Sequence, residues 1–428
     1  MINTLRTMPM LAKQCRRLLA AAGIFCMLAA PAAAADDPVL EWNAVAAQLT
    51  IVPALSPVQQ TRVMAIVHVA VHDAVNGITR AYQQYRPTGS PPVGASADAA
   101  AIGAAHRALV GLFGDSDLLA TRYASSLATH GIPTSDPGLA YGASVADGIL
   151  ALRQNDGAAV AAYVFTPPGA GAPGVWTPIS SAPSAQSLLP GWGSVTPFVL
   201  RSGSQFRPDG PPALDSERYG KDFNEIAAIG AVASTVRTAE QTQIALFWRA
   251  SPTAIWNPIL RAAIQSRSLD LAATARAAAL FYLAASDASV ACWDAKYVYN
   301  FWRPQPAIAN ADLDGNPATA ADPTWRPLLP TPPHPEFPSA HSTNSSAMAF
   351  VLKQLFGDAP GFEIEATSSQ APGFVRHWQT FTEGVYEVID ARVYSGIHFR
   401  TADEVGARLG RQVAQFVLTH ALRPVRRR

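Results

Sequence analysis

Helical periodicity sets the first limit on this chain. Residues 56–77, SPVQQTRVMAIVHVAVHDAVNG, place apolar side chains at three- and four-residue spacing and stop at Asn76-Gly77, the pattern of a helix packed on a core. The same spacing returns over 95–113, 115–130, 138–153, 215–231, 238–249, 269–302, 339–356, 376–394 and 402–422, and no run alternates with the period of a strand. An all-α protein built of helical bundles is predicted. Two irregular segments, 166–214 and 304–338, hold many of the 35 prolines. Loops of that length inside a compact domain commonly serve function or join lobes.

Residues 1–35 stand apart. Arg6, Lys13, Arg16 and Arg17 precede an apolar run at 18–30, and Ala33-Ala34-Ala35 offers small residues for cleavage before Asp36. This reads as a cleaved export signal, leading to a periplasmic or extracellular protein. Its removal takes four of the 32 Lys and Arg and none of the 31 Asp and Glu, leaving 28 − 31 = −3. That balance does not point to a nucleic-acid partner, and the terminal RPVRRR is a short basic end. Of three cysteines, Cys15 and Cys26 fall in the signal, so Cys292 is left without an intrachain partner and the exported fold must rest on its core. Residues 36–428 are expected to form a single all-α domain, with an N-terminal helical half of about 36–214 and an anion-site half of about 215–428. The most membrane-like run, 269–293, contains Asp270, Arg276 and Asp287 and does not read as a bilayer span, so no membrane contact is expected after signal cleavage.

Three clusters bear the chemistry. In WDAKYVYNFWRPQP (293–306), Lys296 lies seven residues before Arg303; seven steps of about 100° return to the same helix face, with the cations about 10 Å apart along it. Trp293, Tyr297, Phe301 and Trp302 surround them with aromatic bulk. Pro304 keeps Arg303 out of helical geometry, so its guanidinium is aimed from the helix end. In FPSAHSTNSSAMAF (337–350), Pro338 and Ser339 begin a helix whose open amides and positive dipole end favour an oxyanion, with His341 beside it as a proton donor. In ARVYSGIHFRTADE (391–404), Arg392 ends a helical pattern, Gly396 breaks it and His398 follows the break. His68 and His72 share a helix face without the glutamate of the zinc-protease motif, and alternate with valines as core residues do.

In this order and spacing, the clusters resemble the signature that joins vanadium-dependent haloperoxidases to type 2 phosphatidic acid phosphatases and bacterial acid phosphatases. The matches are Lys296, Arg303 and Pro304; Pro338, Ser339 and His341; Arg392 and His398. Ala340 replaces the family glycine, Ala391 replaces the serine before Arg392, and Asp403 falls one residue late, so no role is assigned to it. The resemblance implies that Lys296, Arg303 and Arg392, with Ser339 and the Ala340 amide, hold the oxygens of vanadate, that His398 is its axial ligand, and that His341 is the acid-base residue opposite. In a phosphatase His398 would attack phosphorus, phosphate would occupy the same site, and His341 would protonate the leaving alcohol. A catalytically silent anion-binding relative is the third reading, kept open by Ala340 and Ala391. Trp293 matches an aromatic lining position of the haloperoxidase branch. His334 stands where the bromoperoxidases resemble one another in having a histidine and chloroperoxidases an aromatic. The reading is therefore a haloperoxidase that uses hydrogen peroxide to oxidise halide, bromide or iodide rather than chloride, with an organic acceptor the sequence does not identify. His334 is expected to add a titration near its ordinary pKa of about 6.5.

Overall fold

Proline at the first helical position has its φ already set and gives up an amide that has no partner there anyway. Several helices of this protein begin that way. The computed structural model describes residues 37–50, 55–179 and 187–425. In order these form α1 (Pro38–Thr50), α2 (Pro57–Thr79), α3 (Ala97–Phe113), α4 (Asp117–Thr129), α5 (Pro137–Arg153), α6 (Glu217–Ile229), α7 (Ala239–Phe247), α8 (Pro252–Gln265), α9 (Leu271–Tyr299), α10 (Pro304–Ala309), α11 (Ala340–Phe356), α12 (Phe381–Tyr394) and α13 (Arg400–His420). The all-α prediction holds. The predicted export signal lies outside the described residues.

Helices α1, α8 and α10 were not foreseen, and each starts at a proline that reads in sequence as a break. The run 376–394 is corrected in its first turn. Arg376–Trp378 is a strand, β2, antiparallel to β1 (Ile364–Ala366), and α12 begins only at Phe381, where the Thr380 side chain accepts from the Glu383 amide. Packing decides this: the Trp378 ring stacks on Trp248 and Trp256, each at 5.8 Å between centroids.

Helix α9 is apolar or small on nearly every face and therefore has to be interior. It packs against α2, α11 and α13, while α3 and α5 form a further layer on α2. Among the described residues no helix is long and apolar enough to cross a membrane. Helices α11 and α13 touch backbone to backbone. A Cβ on Gly410 would come 2.0 Å from the Thr343 carbonyl oxygen, and one on Gly406 would come 2.6 Å from that of Ser339. Glycine there lets the start of α11 lie directly on α13.

A large core surrounds α9, and a second apolar cluster includes Phe301, Trp302, Phe337, Val393 and Phe399. Each of these five residues adjoins a chemistry-bearing segment in sequence. The cluster therefore clamps together the chain around Arg303, the start of α11, the end of α12 and the loop to α13.

His68 and His72 are core residues, as their valine-flanked spacing indicated. His68 Nε2 lies 2.7 Å from Asn43 Nδ2, and His72 Nε2 donates to the Gln83 carbonyl at 3.2 Å. Burial lowers their pKa values to about 3 and about 4. The unfolded chain binds protons on these rings near pH 6.5 while the folded protein does not, so stability present above that pH is lost as pH falls below it. Each ring should cost about 1.4 kcal/mol by pH 5.5. Urea unfolding of the original protein and of H72Q at pH 7.5 and 5.5 checks this: the change in stability between the two pH values should be about 1.4 kcal/mol less unfavourable in the variant, and an equal change in both would contradict it.

Candidate active site

The last turn of α9 supplies Lys296, which is fully buried. The helix does not continue to Trp302 as the periodicity suggested. Asn300 takes a left-handed conformation (φ 48°), its amide closing on the Lys296 carbonyl, and the chain then pairs with the loop before it: Trp176 N donates to Asn300 O and Trp302 N to Gly174 O. Arg303 is thereby extended (ψ 158°) and precedes Pro304 at the start of α10. Its guanidinium comes from beyond the helix end, as Pro304 implied.

Ser339 occupies the cap position of α11 but its hydroxyl makes no cap bond. The buried Oγ has no hydrogen-bond partner, although it lies close enough to the Asp403 carboxyl to help hold that pKa down. Arg392 ends α12, Gly396 turns the chain at φ 77°, and His398 follows, buried. Thus Lys296, Arg303, Ser339, Arg392 and His398 are buried, while Ala340 and His341 are partly open to solvent.

Hydrogen bonds tie these groups into one unit. Lys296 Nζ donates to the Pro335 and Glu336 carbonyls, both at 2.9 Å. Arg303 donates from Nε to the His334 carbonyl at 2.9 Å, and from Nη1 to the Ile397 carbonyl at 2.8 Å and His398 Nε2 at 3.1 Å. Its Nη2 lies 2.9 Å from His334 Nδ1, a nitrogen that also lies 3.2 Å from the Pro335 carbonyl; the shorter contact, with a group that only donates, favours an accepting Nδ1. The His334 ring leans on Trp293, 5.1 Å between centroids. Leu188 straps this wall: its carbonyl accepts from Trp293 Nε1 and the Tyr297 hydroxyl, and its amide donates to Pro333 O. Arg392 Nη1 donates to the Trp248 carbonyl at 2.8 Å, and its buried Nε has no partner. His341 Nε2 donates to the Ala250 carbonyl at 3.2 Å, which leaves Nδ1 as an acceptor.

Among the described residues, none of the three cations forms an ion pair with a carboxylate. Burial lowers Lys296 to about 7 and Arg303 and Arg392 to about 10. Burial also holds His398, His334 and His341 well below the usual imidazole range, reinforced by the neighbouring cations, with the hydrogen bond to the Ala250 carbonyl opposing the shift at His341. Burial raises Glu336 to about 8 and Asp403 to about 7. Three gathered basic groups with no carboxylate in ion-pair contact, an unsatisfied Arg392 Nε and an unsatisfied Ser339 hydroxyl form a donor set that suits a multiply charged oxyanion, which would also favour the charged form of Lys296. A tetrahedral vanadate or phosphate fits that demand.

Two expectations change. His334 is buried against Arg303 and Lys296, so its ring is neutral at neutral pH, and the titration expected near 6.5 is displaced downward. His341, read as a proton donor, presents a lone pair at Nδ1 and takes a proton before it can give one. One residue was overlooked: Glu336, fully buried, bonds to His398 Nδ1 at 2.9 Å. Its only sequence signal is a lone acid in an otherwise apolar, proline-rich run. Asp403, one place late for the family pattern, bonds to the Ser342 hydroxyl at 2.8 Å instead.

Comparison with known proteins agrees with this geometry. Residues 276–427 match the family model described as the VCPO second helical-bundle domain. Vanadium chloroperoxidase of Curvularia inaequalis is 25% identical over 287 residues, covering 51% of this chain and 46% of that protein, so the match spans about half of the relative's length. A bacterial vanadium-dependent iodoperoxidase structure superposes with a TM-score of 0.79 at 28% identity, over 91% of this chain and 98% of that one. A holo-type bacterial vanadium-dependent chloroperoxidase gives 0.70 at 18% identity, over 89% and 97% of the two chains, a likeness of fold. Matches of sequence and of fold thus converge on the resemblance read from the three clusters: the chain is similar to vanadium-dependent haloperoxidases, in sequence over residues 276–427 and in fold over most of its length.

Proposed function

We propose that this protein is an exported, vanadate-dependent haloperoxidase that oxidises bromide or iodide with hydrogen peroxide and passes the oxidised halogen to an organic acceptor. The observation that carries the reading is the set of three buried cations, without carboxylate partners, gathered around a histidine whose Nε2 is an acceptor. Bound vanadate would supply the Lewis acid that activates peroxide. Lys296, Arg303 and Arg392 would neutralise its oxygens, with Ser339 Oγ and the first amides of α11 as further donors.

His398 Nε2 is the nitrogen available to bind the metal. His341 Nδ1, at the partly open side, can accept a proton from an incoming hydroxyl or hydroperoxide, and the cation field that keeps it neutral makes it ready to return that proton. Trp293 and His334 wall the pocket beside Arg303. His334 keeps that wall polar, and this supports bromide or iodide over chloride, the most strongly hydrated and hardest to oxidise of the three. The basic, apolar and alanine-ending sequence of residues 1–35 supports export.

Halide oxidation by purified protein, with and without added orthovanadate and with chloride, bromide and iodide compared, tests the proposal. Activity that appears only with vanadate and is lowest with chloride is expected. Vanadate-independent hydrolysis of a phosphomonoester, without halide oxidation, would replace the reading with an acid phosphatase acting through the same histidines; neither activity would leave an anion-binding relative.

A further inference from the structure

His398 needs its proton on Nδ1 if Nε2 is to bind anything, and two neighbours of the ring bear on where that proton sits. Arg303 Nη1 points a donor at Nε2 from 3.1 Å. On the other side, Glu336 Oε1 lies 2.9 Å from Nδ1 and also accepts from the Phe399 amide at 3.0 Å. An oxygen already facing one amide donor is an acceptor, whereas Glu336 Oε2 has no hydrogen-bond partner. Should the carboxyl take up a proton, Oε2 is the place for it, and Oε1 still accepts from Nδ1. The arrangement does not depend on the charge of Glu336.

The loop holds this carboxyl rigidly. The Glu336 amide donates to the Phe301 carbonyl and its own carbonyl accepts from Lys296, so its backbone is fixed by the two segments that carry Lys296 and Arg303. Asp403, the acid nearest in sequence to His398, is turned to Ser342. Both ring nitrogens of His398 are already engaged without it.

We infer that Glu336 is the positioning residue of the site, fixing His398 in the Nδ1–H tautomer so that the Nε2 lone pair faces the cations. A carboxylate or carbonyl behind a ligating histidine sets its tautomer and orientation in metal sites generally, and its loss costs about 10–100-fold in affinity. The inference rests on the proposed vanadate-binding function only for its affinity arm. The tautomer can be read in the protein without any anion.

The experiment uses full-length protein labelled with 15N-histidine, with the His398 signals assigned by their absence in H398A. Long-range 15N–1H spectra are expected to show a protonated Nδ1 and a lone-pair Nε2 in the original protein and in E336Q, whose amide oxygen can accept as the carboxylate does. E336L, and E336D in case the leucine variant does not fold, should lose that pattern. Orthovanadate affinity, measured by calorimetry, should fall about 10–100-fold in E336L or E336D and stay within about threefold in E336Q. Inorganic phosphate, which the cations hold without a bond to Nε2, should be affected much less. An unchanged His398 tautomer in both E336L and E336D would overturn the inference, as would an unchanged vanadate affinity in both. If the original protein does not bind vanadate, the functional proposal fails while the tautomer spectra still decide the role of Glu336.

Discussion

Replacement of His398 by alanine should reduce vanadate-dependent halide oxidation to background while the protein stays folded and continues to bind phosphate. The side chain is buried between Arg303 and Glu336 and offers the acceptor nitrogen that the gathered cations surround. On the proposed function its loss removes a ligand rather than a ligand's support, so the decrease should exceed the roughly 10–100-fold typical of losing an outer partner. The fold should survive because Glu336 Oε1 keeps the Phe399 amide and Arg303 keeps the carbonyls of His334 and Ile397. Circular dichroism and phosphate calorimetry on the variant separate loss of the ligand from loss of structure. Undiminished turnover would place the metal-binding nitrogen elsewhere.

Arg392→Met should act in opposite directions on binding and on stability. The guanidinium is buried with one carbonyl partner, an unsatisfied Nε and no ion pair among the described residues. Without an anion, it adds to the repulsion among the three cations. Methionine of roughly similar length should therefore leave thermal stability in anion-free buffer unchanged or raise it, by up to about 1–4 kcal/mol as when buried charges give way to apolar side chains. With vanadate or phosphate present the sign reverses. Losing one partner of a buried charged interaction costs about 3–5 kcal/mol, so affinity should fall by about two to four orders of magnitude and the anion should cease to raise the melting temperature. Melting curves with and without phosphate measure both effects. If the variant is destabilised in anion-free buffer and retains affinity, Arg392 is a structural residue.

Much of this was legible in the sequence because it depends on local rules. Apolar spacing placed helices over 56–77, 269–302 and 402–422, where the structure has Pro57–Thr79, Leu271–Tyr299 and Arg400–His420; the Pro-Ser start placed an open helix end at Ser339; and Gly396 marked the turn before His398. The order and spacing of Lys296, Arg303, Ser339, His341, Arg392 and His398 pointed to a common anion site, and the fold brings Lys296, Arg303, Arg392 and His398 close enough to influence one another's charge. What local rules do not contain is which side chain meets which across the chain. Trp378 is in a strand because two distant tryptophans stack on it, and α11 can lie on α13 because glycines remove the Cβ atoms between them. Only the folded structure puts Glu336 behind His398, 62 residues away in sequence, and turns Asp403 to Ser342. The protonation states were likewise decided by tertiary structure. An ordinary pKa belongs to a side chain in water, whereas His334, His341 and Lys296 titrate in the interior beside Arg303 and Arg392, where burial and like charge both favour the neutral form.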